Sequence, residues 1–164
     1  MSEPIRHTQT DWDKFFYAIA ERSAMMSKDP NRKVGAALAS ADRRRISMGY
    51  NGFPPEVPDT PENLCCREFR LANMVHAEDN CLRQVPFDPQ GSSLYVTRFP
   101  CLECTHKIIQ SKVARVIAPM YDPSHHKWGP SWTASAYELT LANIALVFIE
   151  DWRKQDETAP SRIC

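Results

Sequence analysis

Apolar residues recur at helical intervals in DWDKFFYAIAERSAMMSK (11–28), where Trp12, Phe15, Phe16, Ile19 and Met26 stand among charges and predict an amphipathic helix. The period then shortens: KVGAALAS (33–40) and RRISMGYN (44–51) read as two strands around the turn ADR, an opening hairpin. GFPPEVPDTPEN (52–63) is dense in proline, which suits neither helix interiors nor central strands, so it reads as an irregular loop. REFRLANMVHAEDNCLRQV (67–85) is compatible with helix in whole or in part, and SLYVTRF (93–99) with a strand. CLECTHKIIQSKV (101–113) predicts a helix starting just after Pro100, RVIAPMY (115–121) a strand, and DPSHHKWGPSW (122–132) a polar loop. TASAYELTLANI (133–144) predicts a last helix and ALVFIE (145–150) a last short strand. A hairpin followed by alternating helices and strands implies an α/β fold, a three-layer α-β-α sandwich around a central mixed sheet of about five strands.

The chain has 164 residues, 43% of them hydrophobic, enough for one domain with its own core over 1–150; the polar stretch 151–164 reads as a mobile tail. Lys and Arg total 20 and Asp and Glu total 20, so no global basic field favours a long nucleic acid. The start, MSEPIRHTQTDWDKFF, lacks an apolar signal core, and no run reaches the length of a membrane span. The expectation is a soluble cytoplasmic protein, in a host's cytoplasm if the gene is viral, with no membrane partner.

Without an export signal, six cysteines point to reduced thiols and metal binding rather than to a disulfide framework. Cys65 and Cys66 are adjacent, which suits neither a bridge between them nor the usual ligand spacing, and Cys81 and Cys164 have no evident partner; all four read as structural or incidental thiols. His76, Cys101 and Cys104 differ. One imidazole and two thiols form the donor set Zn²⁺ prefers, and three protein ligands leave a fourth tetrahedral position open, as in a catalytic site. Cys101 and Cys104 are three apart at a predicted helix start, where the positive helix end favours thiolates. Glu78, two residues after His76, can face the adjoining space and act as general acid and base. A P-C-x-x-C match is expected by chance about 0.02 times in a chain of this composition, so its conjunction with H-x-E is specific.

H-A-E with P-C-x-x-C, together with SKDPNRKVGAAL, GYNGFP, HAEDN and YVTRFPCLECTHKIIQSKVARVI, resembles the deoxycytidylate (dCMP) deaminase branch of the zinc-dependent cytidine/deoxycytidylate deaminases. The likeness runs from about residue 12 to residue 150 and is weak in the loops at 54–74 and 122–132. It departs after H-A-E, where Asp79, Asn80, Cys81 and Leu82 replace a neutral residue followed by Asn-Ala-Ile.

The resemblance implies a cytidine deaminase-like sandwich, a catalytic Zn²⁺, and hydrolysis of dCMP to dUMP and ammonia. Glu78 would carry a proton from water to cytosine N3 and then to the departing amine. Ala77, between ligand and acid, would lie against the substrate, Asn31 would hold the deoxyribose, and Tyr121 would stand near the phosphate. Phe99, beside Pro100, is a candidate wall for the base, and Arg98 and Arg83 are candidate phosphate donors. GYNGFP would be an allosteric nucleotide site in which Gly49, Tyr50, Asn51, Gly52 and Phe53, with Lys28, bind dCTP as activator or dTTP as inhibitor, with Mg²⁺ on the triphosphate. A homo-oligomer, a hexamer by resemblance, is expected as well.

Free cytidine deaminases and tRNA adenosine deaminases share the zinc plan. Neutral charge argues against a nucleic-acid polymer, and GYNGFP argues for the dCMP branch. A non-enzymatic zinc protein would explain the His and Cys residues but gives Glu78 no work, and structural zinc normally takes four protein ligands.

Overall fold

The computed structural model describes residues 4–152. Its elements are α1 (Gln9–Ala24), β1 (Gly35–Ala39), β2 (Ile46–Tyr50), α2 (Pro61–Cys65), α3 (Arg67–Asn73), α4 (Ala77–Arg83), β3 (Ser93–Val96), α5 (Leu102–Gln110), β4 (Arg115–Ala118), α6 (Gly129–Leu141) and β5 (Ala145–Phe148). The strands form one sheet in the order β2-β1-β3-β4-β5. β1 runs antiparallel to β2 and β3, while β3, β4 and β5 are mutually parallel, so the sheet is mixed.

Side-chain alternation on the central strands creates the layers. Ala36, Leu38, Leu94, Val96, Val116 and Ala118 face one way, into a core shared with Ala77 and Cys81 of α4, Ile108 of α5 and Leu139 of α6. Ala37, Ala39, Tyr95 and Ile117 face the other way, against Phe16, Tyr17 and Ala20 of α1. The expected three-layer sandwich of five strands is therefore the observed one. Buried Asp13 pins α1 to the sheet by accepting from Tyr95 Oη at 2.8 Å and from Arg115 Nη2 at 2.7 Å.

The structure refines the expected elements in several places. The stretch 67–85 is two helices, because the chain leaves helical geometry at Met74 and Val75 pairs with Gly52 in an antiparallel bridge (2.9 and 3.1 Å). Helix α6 starts at Gly129, inside the expected polar loop, with Pro130 in its first turn where a missing N–H costs nothing. The proline-rich loop closes into α2, whose start is capped by Thr60 accepting from Asn63 N at 3.2 Å. Packing continues into the expected tail as far as Trp152, which is buried edge-on to Tyr17; the rest of that tail, with Cys164, lies outside the described residues. No helix among the described residues is long and apolar enough to cross a membrane.

Candidate active site

Two helix starts on one face of the sheet build the site. His76 is the N-cap residue of α4 and Cys101 that of α5, with Cys104 in the first turn of α5. His76 Nδ1 lies 3.4 Å from Cys101 Sγ and 3.3 Å from Cys104 Sγ, and all three donor atoms fall within 4.8 Å of one another. A tetrahedral zinc with bonds of about 2.0–2.3 Å sets its N and S donors about 3.5 Å apart, so the donor set fits the ion in kind and spacing. The three donors are also coupled to one another. Cys101 is drawn down to about 4, first by its hydrogen bond with Cys104 and also by His76, and Cys104 is correspondingly pushed up. The hydrogen bond to Cys101 raises His76 to about 9.

Glu78 stands outside the donor cluster but lines the same cavity, as do His76, Ala77, Phe99 and Cys101. It is only 4% exposed, and burial raises its pKa against the opposing pull of His76. A carboxylate held this way favours accepting a proton, as a proton carrier must. The cavity measures about 430 Å³, within the range of small-molecule sites.

The segment GYNGFP sets where these residues fall. Gly52 bridges Val75, the residue before His76, and so determines where α4 begins. A Cβ at Gly49 would overlap the Ala77 carbonyl oxygen and the Cys81 nitrogen, so only glycine lets α4 lie this close to β2. Gly49→Ala is accordingly expected to push α4 outward and cost about 1–3 kcal/mol by overpacking, with zinc affinity falling alongside. Thermal unfolding with zinc titration measures both. Asn51 is buried and also lines the cavity; its amide accepts from Val34 N at 2.7 Å and donates to the Arg32 carbonyl at 2.9 Å.

Other expected residues separate in space. Asn31 and Arg98 line the cavity. Tyr121 lies behind it, packed on Phe99 with ring centroids 4.4 Å apart. Arg83 does not reach the cavity: its side chain is 70% exposed and its Nε holds Asp79 at 3.0 Å, because α4 turns it to the far side. Tyr50, Gly52 and Phe53 line a second cavity of about 720 Å³ between α1 and β2, together with Phe15, Ile19 and Met48. Neither Asn51 nor Lys28 lines it, and Lys28 is paired with Asp59 at 2.7 Å.

Sequence reasoning missed several lining residues. Arg70 is a buried guanidinium that donates to the Leu64 carbonyl, lies 3.7 Å from Asp29, and bonds the amide oxygen of Asn31, which leaves the Asn31 NH₂ for the cavity. Arg32, Arg67 and Lys127 add charge around the cavity, and Arg98 lies 5.4 and 5.1 Å from the ring centroids of Trp128 and Trp132. Asp29, quoted in SKDPN, had the signal of an Asx turn: its Oδ1 accepts from Asn31 N at 2.8 Å and Arg32 N at 3.2 Å.

The chain belongs to the cytidine and deoxycytidylate deaminase family, whose zinc-binding region matches residues 10–120. Among its relatives, an uncharacterized deaminase in the luxG 3′ region of Aliivibrio fischeri is 32% identical over 139 residues, 84% of this chain and 93% of that protein. The human deoxycytidylate deaminase is 36% identical over 120 residues, 68% of this chain and 66% of the human one, so the match spans just under two thirds of the human protein. The fold is that of the dCMP deaminase of cyanophage S-TIM5 in its apo form, with a TM-score of 0.67 at 22% identity over 87% of this chain and 100% of that one.

Proposed function

We propose that this protein hydrolyses dCMP to dUMP and ammonia, with zinc held by His76, Cys101 and Cys104 and with Glu78 as the proton carrier. The observation that carries this reading is a single cavity lined by His76 and Cys101 of the donor triad, with Cys104 buried beside them, by a buried carboxylate and by a cluster of cationic side chains. When bound, zinc supplies the Lewis acidity that lets water attack at neutral pH. Glu78 takes a proton from the attacking water, gives it to cytosine N3, and assists protonation of the amine that leaves C4. Phe99 walls the base beside Ala77, and the Asn31 NH₂, fixed by Arg70, donates to the deoxyribose. Arg98, held against two indoles, binds the phosphate with Arg32, Arg67 and Lys127 as neighbours. Among the described residues Arg32 and Arg67 have no carboxylate partner, so both are available to an anion. A phosphate contact is what separates a nucleotide substrate from a free nucleoside.

The reading extends to control. The second cavity is the proposed seat of dCTP or dTTP with Mg²⁺, in a cytoplasmic homo-oligomer, a hexamer by the family resemblance. Support comes from Gly52, which lines that cavity and bonds Val75 beside His76, giving an effector a short route to the metal site.

Ammonia release from dCMP, deoxycytidine, cytidine and a tRNA anticodon stem tests the reading, with dCMP expected to be the best substrate. Arg98→Ala should raise KM for dCMP by about tenfold or more and leave that for deoxycytidine unchanged, because only dCMP offers the phosphate. Preference for deoxycytidine or RNA overturns the substrate assignment. Saturation curves that neither dCTP nor dTTP moves overturn the regulatory part alone.

A further inference from the structure

The first turn of α5 carries both sulfurs of the donor triad, and its first N–H, that of Leu102, has no acceptor within its own helix. Ser131 supplies one: its Oγ accepts from Leu102 N at 3.0 Å. Ser131 lies in the first turn of α6, next to Trp132, which walls the cavity with Trp128 and has Arg98 lying against it. Little else polar locks the two helices together. Thr105 of α5 and Ser135 of α6 are fully buried with hydroxyls that bond to nothing among the described residues, and the His106–Glu138 pair at 2.8 Å is partly exposed to solvent.

We propose that Ser131 is a positioning residue for the metal ligands. Its hydroxyl fixes the first turn of α5, and so holds Cys101 Sγ and Cys104 Sγ in place against His76 Nδ1. It also ties that turn to the aromatic wall of the cavity. A partner that orients a metal ligand without touching the ion commonly governs affinity by about 10–100-fold. This rests on the proposal that the triad holds zinc, which the wild-type metal content checks separately.

The test compares Ser131→Thr with Ser131→Val in the full chain loaded with zinc. The two side chains share a shape, and only threonine keeps the acceptor. Zinc transfer to 4-(2-pyridylazo)resorcinol is followed by absorbance, and melting of the zinc-free forms by circular dichroism. The valine variant is expected to release zinc about tenfold faster than the threonine variant or more, while the zinc-free forms melt together. Equal release rates overturn the proposal, because the acceptor then has no bearing on the metal. Faster release with a matching drop in the zinc-free melting point overturns it too, since the bond then serves only the fold. A wild-type protein that binds no zinc removes the metal assignment on which the proposal stands.

Discussion

Glu78→Gln is expected to keep zinc and lose turnover, with kcat on dCMP falling by about 10²–10⁴. The amide preserves the side chain's size and its place in the cavity but cannot take a proton from water or carry it to N3. Metal content and activity should therefore separate. Stability gives a second readout. Burial raises Glu78 above the ordinary carboxylate range, so its ionised form opposes folding. Because the folded pKa is the higher one, this cost is absent below the unfolded pKa and grows as pH rises toward and through the folded value. In the zinc-free proteins at neutral pH, the glutamine variant is thus expected to melt at or above the wild type, and the two should converge as pH falls below the carboxylate range. A variant that retains more than about a tenth of wild-type turnover would show that some other group moves the proton.

The parts of the site legible in the sequence are those set by local geometry. Ligands at helix starts have a fixed local spacing, so Cys101 and Cys104 declare themselves, and His76 likewise opens α4 with Glu78 two residues on. The strand over Gly35–Ala39 was likewise legible from its short apolar run, although a run apolar throughout does not say which of Ala36 and Leu38 or Ala37 and Ala39 faces which layer. What stayed hidden depends on contacts between distant segments. The break at residues 74–76 follows from the pairing of Val75 with Gly52, which no local period encodes. Arg70 looks like one more charge on an amphipathic stretch until Asn31 and Asp29 fold against it. GYNGFP is instructive because its residues, contiguous in the chain, part company in space. The alternation of β2 turns Gly49 inward under α4 and Tyr50 outward, so the block divides between the metal-site scaffold and the second cavity.

Cys101→Ala and Cys104→Ala are each expected to abolish zinc binding, because removing either sulfur leaves two protein donors where a catalytic zinc requires three. The two should not be equivalent in the fold. Cys104 is 2% exposed beneath the cavity, so its truncation also leaves a small void, whereas the partly exposed Cys101 leaves open space. The remaining described cysteines provide the control. Cys65 and Cys66 are exposed and away from the triad, and Cys81 is buried in the core with its Sγ donating to the Ser47 carbonyl at 3.4 Å, outside the donor cluster. Alanine at Cys65 or Cys66 should leave zinc and activity intact, while alanine at Cys81 should lower stability with zinc retained. Inductively coupled plasma mass spectrometry on dialysed proteins reads the metal, and ammonia release reads the activity. Full zinc occupancy after loss of either Cys101 or Cys104 would remove that residue from the site, and loss of zinc from the Cys65 or Cys66 variant would place a ligand where the structure has none.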